Sequence, residues 1–276
     1  MIGWKIAGLI PFIWAAGLVE PLERVGRLAD PAIREASGIV ASRRHPGIFW
    51  VHNDSSNPPS LYAVRRDGSL VRSYQVAAPN IDWEDIATDD AGHLYLADTG
   101  NNKLLLPVRV IHQVDEPDPT RAATATRPLA VLSSQYYRFA AGDRFDAEGL
   151  AIRDHQALLV AKRFDGQPAA VYRIRLDRPA PLLQPATPEL VGTLPTCIEA
   201  VTGASLTADG RLLAVVTDHS VQVFEARPGQ TWAPVGATKH DAPDVEAVTW
   251  DGPDLILASE DRSIYRVPER RWKGPQ

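Results

Sequence analysis

The chain has 276 residues, 45% hydrophobic and 23% charged, with a net charge of −5 at neutral pH. That balance suits a globular protein with a large core and lacks the dense positive footprint that nucleic acids or anionic membranes require. Cys197 is the only cysteine, so no intramolecular disulfide can form.

The N-terminal stretch MIGWKIAGLIPFIWAAGLVEP places Lys5 ahead of an apolar run over residues 6–19. A bilayer span takes about 20 apolar residues, and this run is shorter. Residues 1–17 therefore read as a secretory signal peptide with Ala15, Ala16 and Gly17 at the cleavage site, followed by one domain over residues 18–276. The expected location is periplasmic or secreted, with no stable membrane span; an uncleaved anchor is the alternative.

Five related units follow. IDWEDIATDDAGHLYLADTG, RFDAEGLAIRDHQALLVAKR and PDVEAVTWDGPDLILASEDR share one pattern: an acidic residue, a short apolar run, a turn, and a second run closed by a charged or amide residue. Aligning all five units on Glu84 gives Ser37, Glu84, Glu148, Ala204 and Glu246. Two residues earlier stand Glu35, Asp82, Asp146, Thr202 and Asp244, and the second runs close on Asn53, Asp98, Lys162, Asp218 and Glu260. Fourteen residues separate the aligned position from the closing residue in four units and sixteen in the first, which implies a repeat with a nearly constant hairpin turn.

A third run (LYAV, PVRV, VYRI, VQVF, IYRV) and, in four units, a fourth (LVRSYQV, QYYRFA, ELVGTL, APVGAT) are rich in β-branched and aromatic residues. The last unit lacks its fourth run, whereas LERVGRL at residues 22–28 shares a Val-Gly pair with two of the others. The expected fold is an all-β β-propeller of five four-stranded blades, closed by the N-terminal strand so that no sheet edge is left open. Residues 112–134 read as a loop; six blades is the alternative, should two units be merged there.

In such a ring the aligned residues and the ends of the second strands meet at one channel mouth. Crowded carboxylates protonate, pair with cations or bind a metal. Oxygen donors without close histidine spacing suit a hard cation, Ca²⁺ above all. Glu84, Asp98, Glu148, Glu246, Glu260, Asn53 and Asp218 are the candidate ligands, with Asn101 a further amide. The acids two residues before the aligned position, Glu35, Asp82, Asp146 and Asp244, form a second ring that would equally serve to cap backbone NH groups. Lys162 and Arg163 either neutralise the ring or hold an anionic substrate. His219 is the candidate catalytic base and His52 a weaker one; Cys197 reads as a small buried hydrophobe.

REASGIVASRRHPGIFWVHNDS, IDWEDIATDDAGHLYLADTGNN, FDAEGLAI with LLVAKR, and VTGASLTADGRLLAVVTD resemble a family of exported, mostly uncharacterised bacterial propellers, over residues 31–267. More distantly, the architecture is similar to calcium-dependent propeller hydrolases: gluconolactonase-like lactonases, paraoxonases and propeller phytases. That likeness implies a metal-dependent hydrolase of a small ester, lactone or phosphoester but transfers no residue role. The alternative is a non-enzymatic binding or scaffold propeller that recognises an envelope protein or glycan. Either would act as a monomer, with a small anionic molecule as the expected ligand of the enzyme.

Overall fold

The computed structural model describes residues 20–101, 103–121, 127–140, 146–227 and 231–274, so the expected signal peptide lies outside the described residues. Strand β1 (Glu23–Arg27) comes first, and blade one follows as β2 (Ala36–Ala41), β3 (Phe49–Asn53), β4 (Ser60–Val64) and β5 (Leu70–Gln75). Blade two is β6 (Trp83–Thr88), β7 (His93–Asp98), β8 (Arg109–Asp115) and β9 (Val131–Tyr137). Blade three is β10 (Asp146–Arg153), β11 (Gln156–Lys162), β12 (Ala169–Arg175) and β13 (Glu189–Leu194). Blade four is β14 (Val201–Leu206), β15 (Leu212–Thr217), β16 (Ser220–Arg227) and β17 (Thr231–Lys239). The last blade contains β18 (Val245–Asp251), β19 (Asp254–Ser259) and β20 (Ser263–Val267), with β1 as its outer strand, and helix α1 (Glu269–Lys273) follows.

Each blade is an antiparallel meander, and β2, β6, β10, β14 and β18 line the centre of a five-bladed ring. The expected closure is present: Glu23 pairs with Arg266 and Arg27 with Ser263. The Val-Gly signature has a steric reason here, because a Cβ on Gly26 would overlap the Asp67 backbone of the neighbouring blade. Arg271 of α1 donates to the Pro21 carbonyl at 2.7 Å and fastens the start of the closing strand.

Five hydrophobic clusters fill the five gaps between neighbouring blades, so the core is a ring of interfaces. This explains why the inner strands are buried along almost their whole length and do not show a clean polar alternation. The excursion between β8 and β9 is a connection that also braces blade one: Leu129 donates to the Gln75 carbonyl at 2.8 Å and accepts from Ala77 at 2.8 Å. Among the described residues no helix is long and apolar enough to cross a membrane.

The strand pairing corrects the repeat register in two places. Every inner strand skips one residue as it pairs, at Ser37, Glu84, Glu148, Thr202 and Glu246. Such β-bulges re-aim a side chain. Thr202, not Ala204, is thus the fourth-blade equivalent of Glu84. The far turns are also unequal: Asp154 and His155 alone close the third hairpin, whereas residues 42–48 separate the paired Ala41 and Phe49 of the first.

With the turn lengths accounted for, Asn53, Asp98, Ala161, Thr217 and Ser259 are equivalent strand-end residues, each opposite the residue before a bulge. Lys162, Asp218 and Glu260 stand one residue further on, where the equivalents in blades one and two are Asp54 and Thr99. The backbone confirms this second row: Asp54, Thr99 and Glu260 donate to the carbonyls of Glu35, Asp82 and Asp244. A one-residue slip turns a side chain to the other face.

Candidate metal centre

That slip separates the expected ligands into two sets. Asn53 and Asp98 serve the backbone of their own blades. Asn53 Oδ1 accepts from Arg34 N at 3.0 Å and its Nδ2 donates to Ala32 O at 2.8 Å. Asp98 Oδ1 accepts from Asp82 N at 2.8 Å. Both hold the entry into the inner strand. Asp54, one residue beyond Asn53, brings a carboxylate to the mouth where counting had placed the Asn53 amide.

Two overlapping groups of carboxylates form at the mouth. One oxygen each from Asp54, Asp82 and Glu84 lie within 4.8 Å of one another, and so do oxygens from Glu84, Asp146 and Glu148. Glu84 belongs to both. The bulges aim Glu84 and Glu148 into this space, and Asp82 and Asp146 enter from the residues two earlier. Glu246, with Glu260 and Asp218 as charged neighbours, lies outside these two groups.

Glu84, Asp146 and Glu148 are all 5% exposed or less. Glu84 Oε1 and Asp146 Oδ2 are buried with no hydrogen-bond partner, although such oxygens cost roughly 1–3 kcal/mol when unsatisfied. The other Asp146 oxygen accepts from Asn101 N at 2.7 Å and Ala147 N at 3.1 Å, which fixes the direction of the free one. Gly100 makes room for the carboxylates themselves, since a Cβ there would collide with Glu84 Oε1 and the Asp82 carboxylate. Gly100→Ala is therefore expected to displace both carboxylates and to lower stability by about 1–3 kcal/mol through overpacking, as read by urea denaturation.

Lys162 sits 2.9 Å from Glu148 Oε1 and is a counter-ion within the mouth. Burial pulls its pKa down, but attraction to Glu148, Glu246 and Glu84 outweighs this and raises it. Burial pushes Glu84 far above the usual carboxylate range, reinforced by Glu148, Asp54, Asp146 and Asp82. Glu148 is also raised by burial, with Lys162 opposing. Of this coupled pair, the carboxylate beside the ammonium ionises first and Glu84 keeps the proton. Burial together with Asp54 and Asp146 lifts Asp82 to about 6, and burial lifts Glu246 to about 7. Such repulsion is what protons or a cation would relieve.

Arg163 turns outward, donating from Nε to Asp165 at 3.0 Å, while Lys162 faces the carboxylates. His219 is exposed, in the turn after β15, and its backbone NH points at Thr217 Oγ1. His52 is fully buried in the channel wall against Gly38, and burial lowers its pKa to about 4, so it is neutral. Cys197 is buried and free.

Asp85, next to Glu84, plays a part that counting did not assign. Its carboxylate lies in the channel and accepts from Ile86 N at 2.8 Å, Leu150 N at 2.7 Å and Ala204 N at 3.2 Å. It ties three inner strands together beneath the mouth. The bulge in β6 is the signal, because it sends two successive acidic residues to different tasks.

The carboxylate spacing fits a calcium-sized ion. Ligand oxygens at 2.3–2.6 Å from such an ion lie up to about 5 Å apart. The oxygen-only donor set and the two orphaned oxygens agree with this.

The chain is a five-bladed β-propeller with a buried acidic cluster at one mouth of its channel. No family model matches it, and no curated protein does. Among solved structures it is similar to the crystal structure of the β-propeller domain of Cps50 (Swd1) from Myceliophteria thermophila, at 12% identity and a TM-score of 0.43, covering 89% of this chain and 68% of that one.

Proposed function

We propose that the mouth holds a hard divalent cation, Ca²⁺ in the first instance, and that the protein is an exported hydrolase of a small ester, lactone or phosphoester. The observation that carries the cation is the pair of buried, unpartnered oxygens, Glu84 Oε1 and Asp146 Oδ2, among carboxylates in excess over Lys162. Glu84, Asp146 and Glu148 would form the inner ligand set, with Asp54 and Asp82 extending it. The hydrolytic chemistry is the expectation raised by the sequence's resemblance in architecture to calcium-dependent propeller hydrolases. When bound, such a cation polarises a carbonyl or phosphoryl oxygen and acidifies water.

The protein's own groups supply the rest. Lys162 orients an anionic or strongly dipolar group of the substrate at the edge of the cluster. Glu84 holds a proton that leaves when positive charge arrives. Asp85, fully buried beneath the mouth, holds the three inner strands together under the carboxylates.

Calorimetric titration of residues 18–276 with Ca²⁺, with melting in parallel, tests the site. One stoichiometric site that raises the melting temperature is expected, since a ligand bound only by the native state stabilises it. No heat and no shift with Ca²⁺, Mg²⁺ or Mn²⁺ would sink the reading. A screen of esters, lactones and phosphoesters then tests hydrolysis.

Stability should depend on pH in a direction opposite to ordinary acid unfolding. Asp82, Asp98 and Glu246 have folded pKa values of about 6, 6 and 7, above their unfolded values. Between about pH 4 and 7 the folded state holds protons that the unfolded chain has released, so stability falls as pH rises through that window. In chelator, the melting temperature is expected to decline from about pH 5 to 8; saturating Ca²⁺ should flatten the decline.

A further inference from the structure

The acidic mouth has an apolar rim. Leu104, Leu105 and Leu106 lie in the connection from β7 to β8, and Phe164 in the connection from β11 to β12. Ile81 and Ile198 precede β6 and β14 on the same face. All six are exposed, Leu105 by 75% and Phe164 by 79%. Side chains of this kind on one face around a polar recess mark a binding surface more often than scattered single hydrophobes do.

The leucine loop is clamped in place. The buried Asn101 side chain accepts from Leu106 N at 2.8 Å and donates to Leu106 O at 3.2 Å, and its carbonyl accepts from Leu104 N at 2.6 Å. Leu104 adopts φ 52°, a conformation that side chains with a Cβ rarely take and that persists where surroundings impose it. The same Asn101 donates its own NH to Asp146 in the cluster. On the next blade, Phe164 follows two residues after Lys162, whose ammonium lies 6.0 Å from the ring centroid and 2.9 Å from Glu148. Each apolar promontory is thus built directly on a residue that touches the acidic centre, Asn101 on Asp146 and Lys162 on Glu148.

From this placement we infer that the substrate is a single-chain amphiphile: an acyl compound whose anionic or ester head reaches Lys162 and the cation, and whose alkyl tail lies across Leu104–Leu106 and Phe164. The head half rests on the cation site proposed above; the tail half does not. A small, wholly polar substrate would leave the rim uncovered.

The test compares octanoate with butanoate, and octanol with butanol, by calorimetry on residues 18–276 in millimolar Ca²⁺ and in chelator. Octanoate should bind at least about tenfold tighter than butanoate in Ca²⁺, since each methylene covered on one side contributes roughly twofold. Octanol should show the same chain-length preference with or without Ca²⁺. The double variant L105S/F164S, checked for an unchanged melting curve, should reduce the preference to under about threefold. Equal affinity for the short and long chains overturns the inference. So does a preference that survives L105S/F164S, or binding to phosphatidylcholine vesicles without binding to monomeric octanoate. A wild-type protein that gives no calcium heat yet prefers octanol over butanol sinks the cation reading and supports the tail site.

Discussion

Replacing Glu84 by glutamine should weaken Ca²⁺ binding by more than about 100-fold, because the number of charged ligands governs affinity in such sites and loss of an outer-shell partner alone costs 10–100-fold. Glu84 is the one side chain shared by both carboxylate groups, and its Oε1 is one of the two buried cluster oxygens for which the protein provides no partner. Glutamine keeps the shape and removes the charge. In chelator, the variant should therefore melt no lower than the wild type, since it resembles the protonated state that burial and the neighbouring carboxylates already impose. In Ca²⁺ at about 100 times the wild-type Kd, the wild type gains about 2.7 kcal/mol, or roughly 5 °C or more in melting temperature. The variant gains at most about 0.4 kcal/mol. Glu260→Gln provides the control: Glu260 is partly exposed, lies outside both groups, and should change affinity only through long-range charge. Equal loss in the two variants would mean that the mouth attracts cations diffusely and has no built site.

The propeller was legible in the sequence for a simple reason. Short β-type runs recur in fours, and an orphan fourth run at the N-terminus matches the run missing at the end; both the five blades and the closing strand follow. Glu84 and Glu148 were legible too, since acidic residues opening an apolar strand are unusual enough to count. The strand ends were not. Charged residues there lie at a constant distance from the aligned position only because unequal turns and a one-residue difference in strand end compensate one another. Sequence spacing cannot separate these two contributions; hydrogen-bond register can. Asp54 was therefore hidden behind Asn53, and Thr202 behind Ala204. Asp85 was hidden differently. In an unbroken strand, the neighbour of a mouth-facing Glu84 would point into a blade interface, where a carboxylate has no place. The bulge at Glu84 changes that alternation and lets Asp85 enter the channel.

Asp85→Ala is expected to cost about 3–5 kcal/mol, the range reached when a buried polar network is broken. The Leu150 and Ala204 amides face the channel from the innermost strands, where no further strand can pair with them, and Asp85 Oδ2 accepts from both. Alanine would leave these amides, and that of Ile86, without a partner in a fully buried setting, at about 1–3 kcal/mol each. Burial raises the pKa of Asp85 well above the usual range, opposed by the hydrogen bonds from these three amides. Asp85→Asn should cost less than alanine, because the amide oxygen still accepts while the NH₂ group adds a donor with no evident acceptor. The ordering Ala worse than Asn, measured by urea denaturation in chelator, separates loss of acceptors from loss of charge: a charge-driven role would make the two variants alike. Because Asp85 links blades two, three and four beneath the mouth, the alanine variant should also splay the inner strands that carry Glu84 and Glu148. Its calcium affinity should then fall although no ligand has been changed, whereas a purely local defect would lower the unfolding free energy and leave the calcium isotherm as it was.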